Sequence, residues 1–310
     1  MEIIHGIQQL KKRLTHPVVT IGNFDGVHRG HQMIIKTAIE QARARKGVCV
    51  AYTFRPHPQV ALNPAAQIQL LSTYEEKLRI LEALGVDITI EEPFSREFST
   101  VAPEQFFKDV LLRQISAEAI VVGYDFGFGK ERKGQLDILV TLCRQSGVEL
   151  TVIQPQKTDG EVASSSRVRQ HLLGGQIESA THLLNRHFSY RGVVVKGDGR
   201  GRKIGFPTAN LKLENKLVLP NGVYATWALA FAVKYPSVTN VGVRPTFQQD
   251  LELPAIVETH ILDQTIDLYG NTLEVQFVKK LRDEKKFSGI EDLKKQIQLD
   301  AQAARQILLP

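Results

Sequence analysis

The 310-residue chain carries only two cysteines, Cys49 and Cys143, each inside an apolar run. Two thiols so placed exclude a disulfide framework and read as buried, reduced side chains. No stretch approaches the ~20 consecutive apolar residues of a membrane span. The opening MEIIHGIQQLKKRL has no long apolar region, so the sequence predicts no secretory leader, no membrane partner and a cytoplasmic protein. No internal repeat or low-complexity segment occurs. No His/Cys spacing of a structural zinc site is present. No G-x-x-x-x-G-K-[ST] occurs either, which excludes a P-loop kinase. What remains is a soluble globular composition, 43% hydrophobic and 23% charged, with a net charge of +6. That mild positive excess suits anionic ligands such as nucleotides and is too diffuse to indicate a nucleic-acid partner. The length allows two domains, each with its own core.

The two halves follow different patterns. In the first, short apolar strands alternate with helical stretches. PVVTIG is extended, and a helix follows from His31 to Lys46 with Met33, Ile34, Ala38, Ile39 and Ala42 on one stripe. VCVAYTF, ITIEEPF, AIVVGYDF and VELTVIQP are further strands; TYEEKLRILEALGVD, PEQFFKDVLLRQI and GQLDILVTLCRQSG are the helices between them. Repeated βα units with apolar strands predict a parallel sheet covered on both faces, an α/β Rossmann-like domain. From about Tyr190 the runs RGVVVKG, TANLKL, GVYATWALAFAV, AIVETHILD and TLEVQFVKKL are strand-like and separated by Gly, Pro, Asn and Asp. They predict an antiparallel β-barrel or sandwich. Ile290, Leu293, Ile297, Ala301 and Ala304 then mark a C-terminal amphipathic helix. The change of pattern places domains at 1–184 and 185–310. No assignment is made for the segment Phe231–Val243.

The most informative stretch of the first half is GNFDGVHRGH, between a strand and a helix. Helix N-termini present unpaired N–H groups and a partial positive charge, which attract phosphate. Gly22, Gly26 and Gly30 let the backbone approach a ligand. His28 and His31, three apart, share a helix face and can donate to phosphate oxygens. A metal pair or a core pair are the other readings. The string resembles the signature of the bacterial bifunctional riboflavin kinase/FMN adenylyltransferases, the prokaryotic FAD synthetases. That resemblance implies a nucleotidylyltransferase domain in which Gly22, Asn23, Phe24, Asp25, Gly30 and the two histidines hold ATP.

EVASSSRVRQHL fits the same reading. Serine hydroxyls cap helices, and with arginine they also clamp phosphate. The segment is similar to the family's I-S-S-T-x-[IV]-R motif, with Ala163 for Ile and Ser166 for Thr. This implies phosphate contacts from Ser164, Ser165 and Ser166, and places Arg169 at the motif's final arginine. VVGYDFGFGKERKG also resembles the family and implies that Asp125, Phe126 and Phe128 shape the ATP and flavin pocket. The turn RPHP closes a strand end, with no role assigned.

In the second half, KGDGRGRKIGFPTANL places Gly197, Gly199, Gly201 and Gly205 among Arg200, Arg202 and Lys203. Such a loop cradles phosphates through backbone N–H groups and charge, or is a flexible surface turn; no helix is expected after GDGRG. After Pro207, Thr208 and Asn210 point to one side of a strand. Two neutral oxygens there suit Mg²⁺. The string resembles the G-x-P-T-A-N-L motif of riboflavin kinases, in which Thr and Asn bind Mg²⁺ and ATP phosphate. Glu258 and His260 of AIVETHILD face one way, Val257, Thr259 and Ile261 the other. The match to the kinase strand with its catalytic glutamate implies that Glu258 takes the proton of the riboflavin 5′-hydroxyl. NVGVRPTF and LYGNTLEVQFVKKLRDEKKF resemble the same family, and that resemblance implies flavin contacts from Arg244 and Arg282.

Taken together, the motifs imply an enzyme acting on riboflavin, FMN, FAD and ATP, with Mg²⁺, and with no nucleic acid involved. A flavin- or nucleic-acid-binding regulator on the same scaffold draws only on the basic charge, and HRGH, PTAN and VETHILD argue against it. An enzyme with one active half is the other alternative. Nothing in the sequence sets the oligomeric state.

Overall fold

The structure, a computed structural model, describes residues 1–66, 68–127, 136–155, 157–158, 160–197, 199–212, 216–242 and 256–309. The chain divides into two compact units, Met1–Ser165 and Ser166–Pro310.

In the first unit β1 (Glu2–His5), β2 (Val18–Ile21), β3 (Cys49–Arg55), β4 (Ile88–Pro93), β5 (Ala119–Gly123) and β6 (Glu149–Ile153) form one sheet in the order β1-β4-β3-β2-β5-β6. Every neighbouring pair is parallel. β2 and β5 are buried along their whole length, which is why they read as unbroken apolar runs. Alternate residues of β5 serve opposite cores. Ile120 and Val122 pack with Tyr52, Phe107 and Leu111, while Ala119 and Val121 pack with Ile35, Ala38 and Cys49. Both cysteines are buried free thiols. From β2 the chain builds outward through β3 and β4, then returns across β2 to add β5. The carboxyl ends of β2 and β5 therefore flank the point where the winding reverses, and open α/β sheets bind ligands there. A short hairpin of β7 (Lys157–Thr158) and β8 (Glu161–Val162) follows β6.

Two details depart from the sequence reading. The first helix is Arg29–Ala44, and it buries Gln32, Ile35, Ala38 and Ala42. Met33 is exposed, Ala38 and Ala42 are buried as expected, Ile34 and Ile39 are partly buried against the core, and Gln32 takes a buried place, donating to the Val27 carbonyl at 2.9 Å. The edge strand β1 was not expected, since only Ile4 of its four residues is buried, too little for a periodic signal.

The second unit opens with the helices Ser165–Leu173, which straddles the division, and Ile177–Leu184. Then β9 (Phe188–Val195), β10 (Ala209–Lys212), β11 (Gly222–Ala230), β12 (Val233–Gly242), β13 (Ile256–Ile261) and β14 (Thr272–Arg282) close into an antiparallel barrel, β10-β13-β12-β11-β14-β9. Closure leaves no exposed sheet edge. The interior holds Tyr190, Tyr224 and Phe277 in edge-to-face contact. It also holds a ladder of buried hydroxyls, Ser237–Thr226–Thr239–Thr259, with oxygens 2.8 to 3.0 Å apart. The C-terminal helix, Ile290–Leu308, lays Ala301, Ala304 and Leu308 over Ala225 and Leu262. β11 is thus covered on both faces.

The run GVYATWALAFAV is not one strand. β11 ends at Ala230, Phe231 and Ala232 form a two-residue turn with φ of 52° and 62°, and β12 begins at Val233. That turn needs the left-handed region at both positions, and without Gly or Asn it carries no sequence signal. The unassigned segment Phe231–Val243 therefore holds this turn and β12, with Val243 outside the described residues.

The helix Ile177–Leu184 packs on β9 and β14. The expected change at 184/185 falls between this helix and β9, and the compact units divide after Ser165.

Candidate active sites

The loop after β2 is shaped before any ligand arrives. A Cβ at Gly22 would stand 2.9 Å from the Phe24 ring, which is buried with φ of 51°. Asp25 is buried, and its carboxylate accepts from the backbone N–H groups of Leu71 (2.9 Å) and Ser72 (3.3 Å). The Ser72 hydroxyl in turn accepts from Gly26 N–H at 3.2 Å. His28 is the N-cap of the Arg29–Ala44 helix: its Nδ1 accepts from the His31 backbone N–H at 3.4 Å. Accepting at Nδ1 puts the proton of a neutral His28 on Nε2, which is then a donor. The two imidazoles stack, centroids 3.6 Å apart, and His31 meets Phe24 edge-on at 5.4 Å.

His31 Nδ1 is buried and has no hydrogen-bond partner among the described residues. A buried orphan nitrogen costs free energy unless a ligand meets it. Burial first, then the neighbouring His28 and Lys77, hold the His31 imidazole well below its ordinary value. At neutral pH His31 is therefore an uncharged donor, at a helix end with no acidic residue in its first turn. Among the described residues no group of three or more His, Cys, Asp or Glu could hold a metal ion.

EVASSS is brought to this loop. The Ser165 hydroxyl donates to the Asp25 carbonyl at 3.0 Å, and the Ala163 carbonyl lies 3.4 Å from where a Gly30 Cβ would be. Ser164 lies beside them in sequence, while Ser166 is exposed on the helix. Arg169 stands in the same helix within the second unit, and Arg167 donates to Gln170 at 3.2 Å. Asp125 follows β5, with Oδ1 3.1 Å from a Cβ at Gly123, and Phe126 packs on the sheet's first core. Phe128 and Arg244 lie outside the described residues, as does the side chain of Lys203.

In the barrel, β10 and β13 alternate as expected: Ala209 and Leu211 are buried, Thr208 and Asn210 partly open, and Thr259 buried between partly open Glu258 and His260. Asn210 pairs directly with Glu258, and Asn240 of β12 pairs with the same glutamate from the other side. Cross-strand partners share a face, so Glu258 stands between two carboxamides. Sequence reasoning missed Asn240, because only the register of an unassigned strand reveals it. His260 Nδ1 lies 2.8 Å from the Pro207 carbonyl and, as donor, ties the glutamate strand to the PTAN segment.

A cleft of about 380 Å³ is lined by Gly197, Gly199, Arg202, Thr208, Asn210 and Thr259, among others. A Cβ at Gly197 would stand 2.4 Å from Asn210 Nδ2, and one at Gly201 would stand 2.3 Å from the Phe206 carbonyl. Both glycines are therefore demanded by close approach. Gly199 has φ of 68° and caps a single turn, Arg200–Lys203, where no helix was expected; one turn presents no Rossmann-type helix end. Gly205 is exposed with φ of 91°. Arg282 lies at the end of β14 and is held by Asp300 of the C-terminal helix, with Nε and Nη2 3.0 and 2.8 Å from its carboxylate. Its Nη1 donates to the Asp283 carbonyl at 3.0 Å.

Comparison with known proteins bears on both units. A family model described as FAD synthetase matches residues 10–167, and one described as riboflavin kinase matches residues 184–308. The bifunctional riboflavin kinase/FMN adenylyltransferase of Escherichia coli (strain K12) is 36% identical, spanning 99% of this chain and 97% of its own. The protein of the same name from Bacillus subtilis (strain 168) is 34% identical, spanning 98% and 96%. Among solved structures, a Streptococcus pneumoniae chain described as a macrolide-efflux protein superposes with a TM-score of 0.90 at 30% identity, covering 98% of this chain and 99% of that one. In this chain no helix among the described residues is long and apolar enough to cross a membrane.

Proposed function

The chain belongs to the bifunctional riboflavin kinase/FMN adenylyltransferase family, and from that footing we propose how its residues divide the work. The enzyme transfers the γ-phosphoryl of ATP to riboflavin, giving FMN and ADP. It then joins FMN to the AMP of a second ATP, giving FAD and pyrophosphate.

Adenylyl transfer belongs to the sheet unit. The FMN phosphate is already an anion, so its oxygen attacks the α-phosphorus without losing a proton, and pyrophosphate leaves. Catalysis is then positioning plus charge stabilisation. His28 and His31 donate to phosphate oxygens at the helix N-terminus. Gly22, Asn23, Phe24 and Gly30 shape the backbone around the triphosphate. The Asp25 carboxylate, engaged by Leu71 and Ser72, holds the loop. Ser164, Ser165, Ser166 and Arg169 are assigned to phosphate on the motif match. The observation that carries this assignment is the buried, unpartnered His31 Nδ1 at the carboxyl end of the sheet.

Phosphorylation of riboflavin belongs to the barrel unit. Glu258 accepts the 5′-hydroxyl proton as the oxygen attacks the γ-phosphorus. Gly199, Gly201, Lys203 and Gly205 serve the phosphates. Thr208 and Asn210 fit Mg²⁺: they offer neutral oxygens only, on one face, against a glycine whose missing Cβ leaves the Asn210 carboxamide its place. Held by Thr208 and Asn210, Mg²⁺ would supply positive charge to the phosphates of ATP. Arg244 and Arg282 are assigned to the flavin of this unit, with Arg282 pre-set by Asp300, whereas Asp125, Phe126 and Phe128 are assigned to the ATP and flavin pocket of the sheet unit. The buried free thiols and the lack of a membrane-spanning helix among the described residues support placing the enzyme in the cytoplasm. The test is incubation with riboflavin and Mg-ATP, followed by chromatographic separation of FMN and FAD. Both products form in sequence, and EDTA stops both steps. FMN without FAD, or neither, counts against this reading.

A further inference from the structure

Lys77 breaks the pattern of its helix. Tyr74–Leu84 buries Lys77 together with Leu78 and Leu81, and the lysine is only 4% exposed. Its Nζ donates to Thr53 Oγ1 at 2.9 Å and to the Phe54 carbonyl at 3.4 Å. Thr53, wholly buried in β3, donates onward to the Asn23 carbonyl at 3.3 Å. A relay of two hydrogen bonds thus runs from a buried ammonium to the backbone of the loop that carries His28 and His31.

The charged and titratable groups around it and around Glu91 come from four other elements. Glu91 of β4 is 2% exposed, and neither carboxylate oxygen has a hydrogen-bond partner among the described residues. His5 of β1 and Arg55 at the end of β3 stand 3.4 and 3.8 Å from that carboxylate. Asp25 faces Lys77 from the loop, and on its own helix the Tyr74 ring lies 5.5 Å from Nζ. Burial, the largest influence, pushes Lys77 down to about 8, while Glu91 and Asp25 pull the other way. Lys77 is also one of the charges that depress His31. An apolar residue of equal length fits a buried helix stripe without the desolvation cost of an ammonium. A cation kept there against that cost has a task.

We propose that Lys77 is a positioning residue for adenylyl transfer: through Thr53 it fixes the Asn23 carbonyl and the loop that carries His28 and His31. This rests on the assignment of His28 and His31 to that reaction.

Lys77→Met keeps length and apolar packing. It is expected to lower kcat/KM for FAD formation from FMN roughly 10- to 100-fold, with riboflavin phosphorylation unchanged. Its His31 ring titrates higher by NMR, since one depressing charge is gone, and an alkaline limb of the wild-type FAD-forming rate near pH 8 disappears. Thr53→Val cuts the relay but keeps the charge. It raises the KM for ATP while the limb and the His31 midpoint stay. Lys77→Met with FAD formation within about threefold of wild type and an unmoved His31 midpoint overturns the proposal. If Lys77→Met does not fold, unchanged ATP kinetics in Thr53→Val overturn the relay. His31→Ala, assayed alongside, separates the two failures. Undiminished FAD formation in that variant removes the site assignment itself; a loss there with none in Lys77→Met removes only the proposal about Lys77.

Discussion

Asn210 and Glu258 face each other across the β10–β13 ladder, so the residue assigned to magnesium and the residue assigned to the proton share one face of the barrel. Glu258→Gln keeps size and hydrogen-bonding shape but removes the basic carboxylate. A positioned base contributes on the order of 10²–10⁴, and single-turnover FMN formation at saturating Mg-ATP and riboflavin is expected to fall by that range. FAD formation from added FMN stays within about twofold, because its nucleophile is already an anion. A kinase rate close to wild type would make Glu258 a solvated strand residue.

His31→Ala is the reciprocal case. Loss of a charge-stabilising donor costs roughly 10²–10³ in rate, here in FAD formation alone. The ring also offers a direct readout. Its pKa is depressed in the free enzyme by burial and by His28 and Lys77, so it is neutral above pH 6.5. Phosphate oxygens favour the protonated form, so NMR titration with Mg-ATP bound should give a higher midpoint than without it. An unshifted midpoint would place the triphosphate elsewhere.

Much of this was legible in the sequence because the decisive signals are local. Strand β2, the glycines and the HRGH turn lie within fifteen residues, as do Gly197 and Asn210. What stayed hidden depends on partners far along the chain. Lys77 looks like an ordinary helix lysine, yet it falls on the stripe of Leu78 and Leu81, and a charge at an apolar position was the available signal. Asn240 is visible only through the β12–β13 register. Arg282 shows its carboxylate partner only once the C-terminal helix brings Asp300 to it.

The hairpin turn between β11 and β12 is a place to gain stability. Phe231 and Ala232 both occupy the left-handed region, and Phe231 is 59% exposed, so little packing is lost by replacing it. Phe231→Asn with Ala232→Gly supplies the residues such a turn favours and is expected to stabilise the barrel by about 1 kcal/mol. A urea midpoint that falls would contradict the turn assignment.

The two candidate boundaries give different fragments. A chain starting at Ser166 keeps the helix Ile177–Leu184 on β9 and β14, whereas one starting at Asn185 strips it away and exposes the strand surface beneath. Both carry Glu258, Thr208 and Asn210. Both are expected to make FMN, with the longer fragment more soluble and higher in melting temperature. An inactive longer fragment beside an active full chain would mean that phosphorylation needs the sheet unit.

Gly197 tests the phosphate loop through shape alone. No charge changes in Gly197→Ala, but the new methyl would stand 2.4 Å from Asn210 Nδ2 and 2.7 Å from Cγ. Real side chains do not approach so closely, so either the loop lifts or the carboxamide turns away from the face it shares with Glu258. The first displaces the backbone assigned to the phosphates and the second an oxygen assigned to the metal, and a small misplacement near the chemistry costs on the order of 10² in rate. The expected result is a kinase defect of that order that added Mg²⁺ partly relieves, because a weakened metal site refills by mass action. Gly289→Ala serves as the control: nothing lies within 4 Å of its Cβ position, and its kinase activity is expected to match wild type. If Gly197→Ala also matches wild type, the loop and the PTAN strand do not form one site.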